Sequence, residues 1–229
     1  FKGKRELQAE QQKSERLLLN ILPSSIAERL KQQDSTVVAD DFSKVTVLFA
    51  DIVGFTEMSA RMSSTELVEL LNKVFSVFDT LVATHNVEKI KTIGDAYMVV
   101  AGLPTPHSNH VEQIADLALD MLQSICHFNE QNSYDLSIRI GIHTGPVIAG
   151  VIGIKKFAYD LWGDTVNTAS RMESHGIAGQ IQISDNVHEI LKEKYIFIER
   201  GPIQVKGKGE MMTYLLQGKQ TKDKGNGSP

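Results

Sequence analysis

Two stretches of helical period set the plan of this chain. Residues 64–85 carry Leu67, Leu70, Leu71, Val74, Phe75, Phe78, Leu81 and Val82 along one stripe, with Ser63 or Ser64 placed to cap the start. Residues 109–129 repeat the pattern with Ile114, Leu117, Ala118, Met121, Leu122 and Ile125, and Cys126 lies beside that stripe. Stripes this long need a broad apolar surface to cover, and the β-branched runs around them supply one. Residues 45–49 read as a buried strand, and 88–93 and 96–101 as two strands joined at Gly94 and Asp95 in a tight hairpin. Further strands fall at 136–142 and 147–152. The order βαββαβ predicts an α+β sandwich of the ferredoxin-like kind, both helices on one face of an antiparallel-rich sheet.

Beyond this core the pattern predicts a helix over 165–172, a short strand over 180–183, a helix over 186–192 and late strands around Phe197 and Tyr214. Ahead of it, residues 1–20 are polar, with a thin heptad seam at Leu7, Gln11, Ser14, Leu18 and Ile21. That seam fits either a solvated helix or a parallel coiled coil entering the domain. Pro23, Ser24 and Ser25 punctuate the chain before a short helix carrying Ile26 and Leu30. Residues 1–42 are therefore read as a helical linker, 43–218 as the folded domain, and 219–229, polar and rich in Gly and Lys, as a disordered tail.

A chain of 229 residues can bury a sizeable core without disulfides or a structural metal. Cys126 is the single cysteine, which rules out an intrachain disulfide and a cysteine zinc cluster and fits a reducing, cytoplasmic setting. The net charge of −4 opposes nucleic-acid binding, which needs a basic surface to release counterions. No run approaches the roughly 20 apolar residues that cross a bilayer. The first residue is Phe1, so an anchor or sensor upstream stays open.

Several residues invite chemistry, each with a plainer reading beside it. Asp51 and Asp95 each follow an apolar strand, next to Gly54 and Gly94. If their strands are neighbours the carboxylates converge, and hard oxygen ligands suit Mg²⁺ or Mn²⁺; otherwise both aspartates stabilise turns. Lys91, between Ile90 and Thr92 in a hydrophobic strand, needs an acceptor, or it lies on an edge strand facing water. Asn167 and Arg171 sit four apart on one helical face, suited to ribose and phosphate or to plain solvent exposure. Lys206 and Lys208 flank Gly207 in a flexible basic loop, able to wrap a polyphosphate. No Walker or dinucleotide fingerprint, zincin spacing or nucleophile elbow is present. His143, at a strand end, reads as structural.

Four of these segments, in order, carry a resemblance. They are Phe-Ala-Asp-Ile-Val-Gly-Phe-Thr around Asp51, Ile-Lys-Thr-Ile-Gly-Asp-Ala-Tyr-Met around Asp95, Tyr-Asp-Leu-Trp-Gly-Asp-Thr-Val-Asn-Thr-Ala-Ser-Arg-Met around Asn167, and Val-Lys-Gly-Lys-Gly-Glu around Lys206. Together they resemble the class III adenylyl and guanylyl cyclases over about residues 43–217. The resemblance implies conversion of ATP to 3′,5′-cyclic AMP and pyrophosphate at two sites shared across a head-to-tail homodimer. In each site Asp51 and Asp95 of one chain, with the carbonyl of Ile52, would hold two divalent ions, Mg²⁺ or Mn²⁺, and Arg139 of that chain would contact phosphate. The opposite chain would supply Lys91 and Asp160, with Leu161 beside it, to read the purine. It would also bring Asn167 to orient the ribose, Arg171 for the α-phosphate and Lys206 for the terminal phosphates. Guanylyl relatives carry Glu and Cys-like residues at the two purine positions, which favours ATP here. A guanylyl cyclase, a nucleotidyltransferase of related fold and a silent nucleotide-binding regulator are the alternatives. The N-terminal segment resembles the joint between cyclase domains and upstream sensor or membrane modules.

Overall fold

The computed structural model describes residues 2–32, 37–153 and 155–221. Its scaffold is β1 (Val38–Ile52), which runs antiparallel to β3 (Ala96–Ala101) on one side and to β4 (Ile138–Val151) on the other. With β2 (Glu88–Ile93) outside β3, the order β2-β3-β1-β4 is the ferredoxin-like arrangement expected for βαββαβ. The sheet continues from β4 through a parallel pairing with β6 (Ile181–Ser184) into β8 (Gly209–Lys219) and β7 (Tyr195–Val205), while β5 (Tyr159–Trp162) pairs with the far end of β4.

Both faces of β1 are buried, and its alternation serves two cores. Leu48, Ala50 and Ile52 face α4 (Ser64–Thr84) and α5 (His110–Asn132), whose predicted stripes bury Leu70, Val74 and Phe78, and Ile114, Leu117 and Met121. Ser63 caps α4 with a reciprocal capping box to Glu66. Val45, Val47 and Phe49 face the other way, towards α6 (Asp164–Ser174), β5 and the short α2 (Ser24–Gln32). α2 docks through Leu22, Ile26 and Ala27, so the end of the N-terminal segment is part of the second core. Ahead of it, α1 (Lys2–Leu19) leaves Leu7 and Ile21 of the heptad seam exposed, while Leu18 packs on that core.

The structure departs from the sequence reading in four places. The first strand begins at Val38, because its N-terminal half, although polar, pairs with β4 out to Val38↔Val151. The two expected strands at 136–142 and 147–152 are one strand, since Pro146 falls opposite the bulge between Phe42 and Val45, where no ladder donor is required. A short helix, α3 (Phe55–Arg61), follows Asp51 where only a turn was expected. Lys219, read as the start of the tail, closes β8, and Gln220 N–H donates to Lys194 C=O at 2.9 Å. The remaining tail, 222–229, lies outside the described residues. The helices expected over 165–172 and 186–192 are α6 and α7 (Asp185–Leu191).

A buried polar network ties β1, β4 and β6 together. Thr46 Oγ1 bonds His110 Nδ1 at 2.7 Å and Thr144 Oγ1 at 3.2 Å, and His143 Nδ1 bonds Ser184 Oγ at 2.6 Å. Burial, helped by the charge of Lys208, holds His143 down at about 4 against an ordinary 6.5. An imidazole that stays neutral in the fold but protonates in the unfolded chain favours unfolding as pH falls from about 6.5 through about 4, by up to about 3 kcal/mol. Urea melts across that window should show His143→Gln losing less stability than the parent by that order. Parallel curves for the two proteins would contradict the assignment.

Candidate functional site

The ladder between β1 and β4 sets Asp51 directly opposite Arg139. Asp51 thus stands inside a strand, one residue before its end, rather than on the turn expected from Gly54. Arg139 Nη2 donates to Asp51 Oδ2 at 3.0 Å, and Arg139 Nε donates to Glu173 Oε1 on α6 at 3.3 Å. The other oxygen, Asp51 Oδ1, is buried and has no hydrogen-bond partner among the described residues. An acceptor left unmet in this way costs free energy unless a ligand meets it.

Asp95 joins this corner from the β2–β3 hairpin, where Gly94 takes a φ of 57° that lets the chain reverse. β3 is the neighbour of β1, which places the Asp95 hairpin beside the end of the strand that carries Asp51. Burial pushes the Asp95 carboxyl up, the Asp51 charge adds to the rise, and the backbone N–H of Ile52 opposes it. Glu173, with its side chain 10% exposed, is pushed up to about 8 by burial first and then by Asp51. Two carboxyl groups, Asp51 and Glu173, therefore share one guanidinium, and Asp95 lies near enough to feel the Asp51 charge.

A second set is spread over β2, β5, the outer face of α6 and the β7–β8 loop. Lys91 Nζ bonds Asp160 Oδ2 at 2.7 Å, and Asp160 Oδ1 accepts from the N–H of Leu161 at 2.8 Å. Both plain expectations for Lys91 hold at once: β2 is the edge strand, and the lysine also finds an acceptor. Asn167 and Arg171 share the outer face of α6, and with Lys206, Lys208 and Asp164 they line a cavity of about 430 Å³. Lys208 pairs with Asp164 there, which fixes the β7–β8 loop against the start of the helix. Asp51, Asp95 and Arg139 do not line this cavity. A cavity of about 980 Å³ between Asp41–Lys44, His107, His110 and Asn186 contains no residue of either set.

The chain matches the adenylate and guanylate cyclase catalytic domain over residues 37–218. It belongs to this cyclase family. The adenylate cyclases of Mycobacterium bovis and Mycobacterium tuberculosis are 49% identical to it over 214 residues, covering 93% of this chain and 48% of those proteins. Guanylate cyclase soluble subunit beta-2 of Rattus norvegicus is 46% identical over 212 residues, covering 92% of this chain and 31% of that protein. The crystal structure of the guanylate cyclase domain of RhGC from Catenaria anguillulae, in complex with GTP, superposes with a TM-score of 0.76 at 40% identity over 79% of this chain and 100% of that one. The chain therefore spans about half, or less, of the curated relatives it matches. Adenylate and guanylate cyclases match almost equally well, so family membership leaves the nucleotide to be argued from the site.

One residue of this cyclase domain escaped the sequence reading. Glu173 follows Arg171 and Met172 in the matched segment, and the signal was available in the helical period. Thr165, Thr168, Ala169 and Met172 form the buried stripe of α6, and Glu173 extends it inward with a carboxyl group. A glutamate on the core side of a short helix calls for a cationic partner, here Arg139.

Proposed function

We propose that this cyclase domain converts ATP to 3′,5′-cyclic AMP and pyrophosphate, in a homodimer with two sites at the interface. The observation that carries the reading is that one chain holds two separate half-sets, Asp51 with Asp95 and Arg139, and Lys91–Asp160 with Asn167, Arg171 and Lys206. A site assembled from one half of each chain uses every one of these residues. The divided arrangement also accounts for a cavity at Asn167, Arg171 and Lys206 that Asp51 and Asp95 do not line.

The donor set at Asp51 and Asp95 fits divalent cations. The unmet Asp51 Oδ1 is a ready oxygen ligand, and Asp95 and the carbonyl of Ile52 add hard oxygens of the kind Mg²⁺ and Mn²⁺ prefer. Two such ions, when bound, supply activation of the ribose 3′-hydroxyl and neutralisation of the triphosphate. The side chains do the rest. Asn167 orients the ribose so that its 3′-oxygen lies in line with the α-phosphorus, which lowers the entropic part of the barrier. Arg171 stands where charge grows on the α-phosphoryl oxygens, and a preorganised guanidinium binds that charge more strongly than the ground state. Lys206 and Arg139 hold the departing pyrophosphate. The segment ahead of β1 serves as the joint to an upstream sensor or membrane module, with α2 docked on the domain it leads into, and the catalytic domain runs from Val38 to Lys219. No helix among the described residues is long and apolar enough to cross a membrane; we place the domain in the cytoplasm.

The Lys91–Asp160 pair supports ATP over GTP. Asp160 accepts from the exocyclic amine of adenine while Lys91 donates to a ring nitrogen. Guanine presents a carbonyl at the place of that amine, leaving facing acceptors that cost roughly 1–3 kcal/mol. The high identity to guanylate cyclases keeps GTP as the second reading.

Chromatography of products after incubation with ATP or GTP and Mn²⁺ tests the reading, with cyclic AMP from ATP as the expected main product. Arg171→Ala should lower kcat by roughly 100-fold or more with a smaller change in KM, and unchanged turnover would remove its role. Lys91→Glu combined with Asp160→Cys should shift preference towards GTP. A purified double variant that keeps the parent's ATP preference counts against the purine assignment.

A further inference from the structure

We infer that Glu173 is a positioning residue for the cation centre: by holding Arg139 Nε, it keeps the guanidinium from closing on both oxygens of Asp51. This inference rests on the reading of Asp51 as a cation ligand. Arginine and carboxylate prefer a two-pronged contact, in which two N–H groups on one edge of the guanidinium meet both oxygens. Arg139 and Asp51 are cross-strand partners with every opportunity to form it. They do not. Of the Nε and Nη2 edge, Nη2 goes to Asp51 Oδ2 and Nε goes to Glu173 Oε1, and Asp51 Oδ1 is left buried and unpaired.

The position of Glu173 is itself rigid. α6 lies so close on β4 that a Cβ added to Gly141 would come 2.0 Å from the backbone nitrogen of Glu173. The glycine lets the helix backbone touch the strand two residues after Arg139, and so fixes where the Glu173 carboxyl group can reach. A guanidinium is planar, so engaging its Nε at Glu173 turns its edge away from a square approach to Asp51. The one bond from Nη2 orients the aspartate and leaves Oδ1 without a guanidinium contact, open to a cation. With no acceptor at 173, the same edge is free to rotate onto Asp51 and cover Oδ1, and a cation must then displace it.

The test is Mn²⁺ binding without nucleotide, followed by the electron paramagnetic resonance signal of free Mn²⁺ at constant pH. Glu173→Met fills the site without an acceptor and should weaken Mn²⁺ binding roughly tenfold or more, the range seen when groups that orient metal ligands are removed. Glu173→Gln keeps an oxygen for Arg139 Nε and should bind Mn²⁺ nearly as the parent does. In an Arg139→Gln background, Glu173→Met should have little further effect, because the residue acts through the arginine. Unchanged affinity in Glu173→Met, equal losses in the Met and Gln variants, or the same loss with and without Arg139 would each overturn the inference. Should the Met variant not fold, Glu173→Ala removes the same acceptor and is read in the same way. Asp51→Asn separates the two layers of argument. If it binds Mn²⁺ as the parent does, the cation centre itself is wrong; if it abolishes binding while the Glu173 variants are silent, only the positioning role fails.

Discussion

The antiparallel pairing of β1 with β4 is the constraint on which the rest of this domain depends. Both faces of β1 are buried, so its register decides which side chains meet α4 and α5 and which meet α6. A slip of one residue would exchange the two sets and carry every side chain to the wrong face. The same register sets Asp51 against Arg139, on the side of the sheet that also faces α6. Core packing and the placement of the charged corner are therefore one decision. The bulge between Phe42 and Val45 confines the irregularity to the far end, where it accommodates Pro146 without disturbing the pairs around Asp51.

At that corner the fold carries charge that stability alone would not keep. Val45, Val47 and Phe49 make the same face of β1 apolar, and Asp51 ends the run with a carboxylate whose side chain is 17% exposed. Asp95 and Glu173 add two more acidic groups, both pushed towards their neutral forms by burial and by Asp51. A buried charge cluster of this kind is commonly no more stable than an apolar replacement of similar volume. Arg139 offsets part of the cost, and under the proposed function a divalent cation at Asp51 would offset more. The pair proposed to read the purine is of a different kind. Lys91 and Asp160 are 42% and 22% exposed, so water screens them and their contact adds little to folding. Its use lies in keeping a donor and an acceptor at fixed spacing.

Most of the frame was legible because its signals are periodic. The stripes of α4 and α5, the cap at Ser63, one of the two serines expected there, and the hairpin at Gly94 each depend on neighbours in sequence, and each formed as the pattern implied. The errors came where distant residues decide. Gly145 and Pro146 look like a strand break, and the bulge that tolerates the proline belongs to β1, about a hundred residues away. The polar half of β1 carries no apolar run, and its pairing with β4 extends it regardless. Among the candidate site residues, the convergence of Asp51 and Asp95 needed one further fact, that β1 and β3 are neighbours. The βαββαβ order supplies it through the ferredoxin-like topology. Glu173 was missed because a single acidic residue following an arginine and a methionine on a helix usually faces solvent, and the absent Cβ of Gly141 that draws it inward sits on another strand.

The geometry of α6 gives the domain a property that no single residue carries. Successive helical residues turn by about 100°, so Arg171 and Glu173, two apart, point about 200° away from each other. Arg171 lies on the outer face with Asn167, beside the open cavity, while Glu173 is turned inward onto Arg139. In a homodimer with sites split between chains, the outer face serves the partner's aspartates and the inner face anchors this chain's own. One short helix, pressed on β4 at Gly141, then belongs to both sites. Under the proposed dimer, a shift of α6 that withdrew Arg171 from one site would also bear on the bond between Glu173 and Arg139 in the other, because both residues sit on the one helix. Coupling between the two sites needs no long pathway under this arrangement; it needs a displacement of the one element they share. α2 packs into the same second core as Ala169 of α6, so the end of the N-terminal segment and that helix rest on one set of buried side chains.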